Sequence, residues 1–162
     1  MGEFMRDIRC QGVLLKGDKL LVARQFNFKR NEEFWLLPGG GKNENEYNED
    51  AILREFKEET NLDIEIKDVL FDDIDNSGKY GYKRYITYLC TTKEYSLLKV
   101  GKETQSHKRI LDLIWCSLID EKNWNKYILN EQFYPSMKNI KDKLIELNIC
   151  ITPSRILNFF QY

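Results

Sequence analysis

Leu37-Pro38-Gly39-Gly40-Gly41, then Glu46, then Arg54-Glu55-Phe56-Lys57-Glu58-Glu59-Thr60-Asn61-Leu62 is the stretch from which the rest of the chain is read. Phe34-Trp35-Leu36-Leu37 reads as a short buried strand stopped by Pro38 and three glycines. Residues Glu49 to Thr60 have helical character, with Asn45 and Asn48 both open as N-caps. At about 100° per residue, Glu55 at zero puts Glu58 near about -60° and Glu59 near about +40°. The three carboxylates therefore share one face, while Ile52, Leu53 and Phe56 occupy the adjacent arc and are expected to anchor the helix. Like charges at these spacings repel by a few tenths of a kcal/mol per pair on an exposed helix. Two readings fit: a solvated acidic face balanced by Arg54 and Lys57, or a site that a hard divalent cation makes favourable. The glycine run weighs towards the second. It lets the backbone approach a ligand closely and sets main-chain carbonyls beside the acids.

The spacing resembles the box of the Nudix superfamily, G-x5-E-x7-R-E-U-x-E-E-x-G-U, where U is a bulky apolar residue. Gly40, Glu46, Arg54, Glu55, Phe56, Glu58, Glu59 and Leu62 stand at the required places. Chance would produce the eight matches at about 10⁻⁸ per starting position. The departure is Asn61, where the family has glycine. That glycine ends the helix in a left-handed conformation, which Asn tolerates next best. On this backbone argument Asn61→Gly leaves activity within a few-fold.

The resemblance implies an α/β (α+β) fold, an α-β-α sandwich with a mixed central sheet. It implies Mg²⁺ or Mn²⁺ held by Glu55, Glu58, Glu59 and the Gly39 carbonyl. It also implies attack of an activated water on a phosphoanhydride of a nucleoside diphosphate derivative: a nucleoside triphosphate, ADP-ribose or a nucleotide sugar. Glu55 is the helix carboxylate favoured for handling the water or its metal. Arg54 is expected to orient a neighbouring glutamate, and Glu46 to support the loop-to-helix junction. In the long polar stretch, Glu103 has two readings, a general base or a solvated charge. Arg24 reads as a phosphate contact or a surface arginine. Tyr82, Arg84 and Tyr85 are candidates for a nucleoside pocket because aromatic faces stack on bases, with strand packing as the other reading of each tyrosine. The alternative function is a Nudix-fold nucleotide-binding or regulatory module without turnover, against which the intact Glu55, Glu58 and Glu59 speak.

The remaining sequence bounds these expectations. The 162 residues suit a single domain over 1-162; 42% are hydrophobic and 13% aromatic, too many for a disordered chain. Charged residues reach 31% with a net charge of -1, which gives no support to bulk nucleic-acid binding but leaves room for a small nucleotide. No stretch is apolar enough for a membrane span, and the first ten residues show no signal-type run. Cys10, Cys90, Cys116 and Cys150 lie far apart and read as reduced core residues of a cytoplasmic protein, and the single His107 leaves little material for a histidine metal site.

Ile8 to Leu15 and Lys19 to Gln25 read as a hairpin about Gly17-Asp18, followed after the acidic helix by strands at Leu62 to Ile74, Gly81 to Thr92 and Leu111 to Leu118. Lys93 to Arg109 reads as a polar loop, a short helix is expected near Lys122, and Ser136 as the cap of a helix running to Leu147. Asp73-x-Asp75-x-Ser77-Gly78 resembles the start of a calcium loop, but its twelfth position is Arg84 rather than a glutamate, so it reads as a turn. The apolar tail Ile151 to Tyr162 has two readings, packing on its own domain or a homodimer contact.

Overall fold

The computed structural model describes residues 7–78, 81–101, 108–126, 133–149 and 151. Strands β1 (Ile8–Lys16) and β2 (Lys19–Asn27) form the expected hairpin, and Gly17 takes the positive φ that the turn requires. They pair only at the turn, through Leu15↔Leu20 and Lys16↔Lys19, and then diverge. β2 goes on to pair with β3 (Glu32–Leu36) and β7 (Lys108–Ser117), both antiparallel. β1 runs parallel to β6 (Arg84–Thr92), which is antiparallel to the edge strand β5 (Ile64–Ile74). The glycine run itself is strand β4 (Gly39–Gly41), antiparallel to β1 with Cys10 opposite Gly40. Seven strands among the described residues thus make one mixed sheet.

Alternation along the strands supplies a core on each face. Cys10, Leu14, Leu21, Ile86, Tyr88 and Cys90 pack with Ala51, Ile52 and Phe56 of helix α1 (Asn48–Thr60). Val13, Val22, Leu37, Leu70 and Leu118 pack with Met137, Ile140 and Leu144 of helix α2 (Met137–Glu146). The layers are helix, sheet, helix, as the sequence implied. Ile52 and Phe56 are fully buried, each worth about 1.5–3 kcal/mol of apolar burial. Leu53, expected among the anchors, is 39% exposed, because it lies at the far limit of the apolar arc.

Several boundaries differ from expectation. α1 starts after Tyr47, which makes no side-chain cap, so neither Asn45 nor Asn48 serves as one. Ser136 does cap α2, its hydroxyl accepting from the Asn139 N–H at 3.1 Å. The stretch expected to be a polar loop contains a 3-10 turn at Tyr95–Leu97, and Glu121–Lys126 is a 3-10 helix. The acidic turn after β5 closes on itself, the Asp75 carboxylate accepting from the Ser77 N–H at 2.9 Å and its hydroxyl at 2.6 Å. Cys10, Cys90 and Cys116 are buried free thiols. Residues 152–162 of the tail, with Cys150, His107 and Glu103, fall outside the described residues. Among those described, no helix is long and apolar enough to cross a membrane.

Candidate active site

α1 lies across the glycine strand and delivers its acids there. Glu55 is 1% exposed and its carboxylate rests directly on Gly40, so that a Cβ at position 40 would fall on it. Glycine at 40 therefore answers a close approach between strand and helix. One turn on, Glu59 is buried and accepts the Gly39 N–H at 3.0 Å. Glu58, with a side chain 29% exposed, is the most open of the three.

Arg54 gathers three of the carboxylates. Its Nε and Nη2 donate to the two oxygens of Glu46 at 2.8 and 2.9 Å, a two-pronged pair. Nη1 donates to Glu55 at 3.0 Å and reaches both oxygens of Glu58 at 3.3 and 3.4 Å, while Nη2 also reaches the Gly41 carbonyl at 3.2 Å. The hydrogen bonds to Glu46, followed by the charge of Glu55, push the Arg54 guanidinium above its usual range, so it stays charged at every relevant pH. Glu46 also accepts the Asn43 N–H at 3.0 Å and so ties the loop before α1 to the same cluster.

The donors suit a hard cation by chemistry: carboxylates from one loop and one helix, of which Glu55 and Glu58 share Nη1 of a guanidinium that already serves as a cation between them. Among the described residues, no three acidic, histidine or cysteine side chains are grouped around one point as ligands of a metal would be. The same carboxylates are turned instead towards Arg54 and the Gly39 N–H. Gly39 donates its N–H to the helix, to Glu59.

The substrate candidates are dispersed. Arg24 stacks on Trp35, its guanidinium 5.9 Å from the ring centroid, and pairs with Glu33 at 3.5 Å. Arg84 and Tyr85 are neighbours on one strand and point to opposite faces of the sheet. Arg84 donates two hydrogen bonds to the Asp72 carboxylate, at 2.8 and 2.6 Å, on the α1 side. Tyr85 is buried on the α2 side, where Tyr82 and Tyr134 meet its ring edge-on at 5.7 and 5.2 Å. Tyr82 and Tyr85 are brought together; Arg84 is not with them.

Sequence reasoning missed Arg9 and Gln11. Both are buried on the α2 face of β1. Arg9 donates to the Leu37 carbonyl at 2.9 Å and to Gln11 at 3.0 Å, so it clamps the chain just before the glycines. Gln11 donates to Thr87 at 2.9 Å and to the Tyr134 carbonyl at 2.7 Å. A cue was present in polar residues alternating with Ile8, Cys10 and Gly12 in an otherwise apolar strand.

A strand-glycine-helix junction lined by paired acids, inside this layered fold, defines the class of protein. The family model "NUDIX domain" matches residues 6–137, and the chain belongs to the Nudix family. Solved structures share the fold. The MutT protein from Methanosarcina mazei Go1 superposes with a TM-score of 0.61 at 19% identity, covering 88% of this chain and 94% of that one. A NUDIX-family hydrolase from Clostridium perfringens gives 0.60 at 17% identity, with 88% and 98% covered. An ADP-ribose pyrophosphatase from Streptococcus suis 89-1591 gives 0.54 at 23% identity, with 90% of each chain covered. No sequence match was found among curated proteins.

Proposed function

We propose that this chain is a Mg²⁺- or Mn²⁺-dependent hydrolase that cuts the phosphoanhydride bond of a small nucleotide. The observation that carries this reading is the convergence of Glu46, Glu55 and Glu58 on Arg54, with Glu59 bound to Gly39 beside them. Glu55, Glu58, Glu59 and the Gly39 carbonyl would hold the ion. When bound, it supplies Lewis-acid stabilisation of phosphate charge and a more acidic water.

The chain's own residues prepare that site. Arg54 holds Glu46, Glu55 and Glu58 together by hydrogen bonds, and those bonds to the guanidinium must be exchanged for bonds to the ion when it enters. Gly40 lets the buried Glu55 sit at the loop. Glu58, the most open acid, is placed to meet a ligand from solvent. Arg24 on its Trp35 platform is the basic side chain we assign to substrate phosphate. Tyr82 is assigned to the nucleoside, and Arg84, held by Asp72, is retained only as an outer contact.

The ADP-ribose pyrophosphatase from Streptococcus suis makes ADP-ribose a member of the substrate panel, together with nucleoside triphosphates and nucleotide sugars. The test is product release from that panel with Mg²⁺ or Mn²⁺, by wild type, Glu58→Gln and Glu59→Gln. The reading expects turnover of at least one nucleotide and loss of most of it in both variants. Wild-type rates in both variants on a substrate the enzyme cuts would remove the metal assignment.

A further inference from the structure

Position 61 is where the chain departs from the family box, and the side chain there makes a contact that glycine lacks. Asn61 ends α1 with φ 63° and ψ 9°, its N–H donating to the Lys57 carbonyl at 3.0 Å. Glycine adopts that backbone at least as well. The difference is the side-chain amide, whose Nδ2 donates to the Leu97 carbonyl at 3.0 Å.

Leu97 closes the 3-10 turn, and from it the chain runs back over the end of α1. The Lys99 N–H donates to the Thr60 carbonyl at 3.0 Å, and the Gly101 N–H to the Glu59 carbonyl at 2.9 Å. Gly101 comes so close that a Cβ there would fall on the Glu58 carbonyl oxygen. The other side of this strap is also anchored. The Tyr95 hydroxyl donates to the Leu15 carbonyl at 2.6 Å, and its ring packs 5.9 Å from that of Trp115. The last carbonyls of a helix have no partner within it, and such ends fray unless they are capped. Here the strap caps the turn that carries Glu58 and Glu59.

We propose that Asn61 is a positioning residue for the carboxylate site: its amide holds residues 97–101 against α1 and so keeps the turn presenting Glu58 and Glu59 from fraying. The inference rests on the metal reading of that site. It changes the expectation for Asn61→Gly, because the backbone argument alone left out this hydrogen bond.

The experiment compares the full chain with Asn61→Gly and Asn61→Asp. It reads amide hydrogen exchange at Lys99 and Gly101, Mn²⁺ affinity from the electron paramagnetic resonance signal of free Mn²⁺, and the thermal midpoint. Asn61→Gly keeps the left-handed backbone and loses only the amide. It is expected to speed exchange at both positions and weaken Mn²⁺ binding, each about three- to tenfold, the range one hydrogen bond supports. Its thermal midpoint should stay level or rise, since glycine relieves the positive φ. Asn61→Asp, alike in shape but without the donor, should show the same faster exchange. A general structural role would instead lower the midpoint and Mn²⁺ affinity together, and that result overturns the proposal. Unchanged exchange and Mn²⁺ affinity in Asn61→Gly overturns it as well, and leaves the metal reading standing. A wild-type chain that binds no Mn²⁺ overturns both.

Discussion

The carboxylate of Glu55 rests on the Cα of Gly40, in the space where any other residue would begin its side chain. This contact lets a buried acid reach the glycine strand, and it couples the backbone of β4 to the face of α1. Gly40→Ala must push the two apart. Overpacking of this kind costs about 1–3 kcal/mol. Denaturant unfolding should show that loss. Addition of Mn²⁺ should restore less stability to the variant than to wild type, because Glu55 is displaced. Equal stabilisation by Mn²⁺ would argue that Glu55 is remote from the ion.

Arg54 should matter most when no metal is present. Its removal leaves Glu46, Glu55 and Glu58 without the guanidinium they share. Breaking a buried pair costs about 3–5 kcal/mol, but Arg54 is a quarter exposed and solvent screens part of this. Arg54→Met is expected to lose about 1–3 kcal/mol in metal-free buffer, and Arg54→Lys to recover only part, because an ammonium cannot make the two-pronged contact. Thermal unfolding with and without Mg²⁺ checks this, and the deficit should shrink when Mg²⁺ is added.

High pH should unfold the protein through its buried thiols. Burial pushes Cys10 up to about 11 and Cys90 up to about 12, from 9.0 in each case. Burial likewise raises the hydroxyl of Tyr88 in the same core. A raised folded value means that the unfolded chain releases its proton first, so this contribution is complete below pH 9 and is lost as pH climbs towards 11–12. Unfolding free energy should therefore decline from pH 9 upward. Cys90→Ala should flatten that decline while lowering stability at neutral pH. A decline of the same slope in the variant would assign it to other groups.

Arg9 lies on the opposite side of the sheet from the acids, yet it should influence them. Its bond to the Leu37 carbonyl fixes the chain entering Pro38 and the glycines. Arg9→Met leaves that carbonyl and Gln11 short of a donor, a cost of about 1–3 kcal/mol. Mn²⁺ affinity should fall as well, and an unchanged affinity would confine Arg9 to the core.

The acidic face of α1 was legible in the sequence because helical periodicity is rigid: Glu55, Glu58 and Glu59 could only share a side. The hairpin turn at Gly17 and the Ser136 cap were legible because each depends on local chemistry. The glycine strand was not, since glycine carries no strand preference, and Gly39–Gly41 is a strand only because β1 pairs with it. The separation of Arg84 from Tyr85 was legible too, once both are placed on one strand. Adjacent residues in a strand face opposite ways, and grouping them as one pocket ignored that period. The contacts of Arg9 with Leu37 and of Asn61 with Leu97 join residues 28 and 36 positions apart, and no local pattern reports them.

The proposed cation site consists of the acids gathered at Arg54 and Gly39. Titration of metal-free protein with Mn²⁺, followed by electron paramagnetic resonance, tests it without any need to know the substrate. Wild type should bind saturably, and Glu58→Gln and Glu59→Gln should each weaken binding about tenfold or more. Binding of equal strength in all three proteins, or none in wild type, would contradict this assignment.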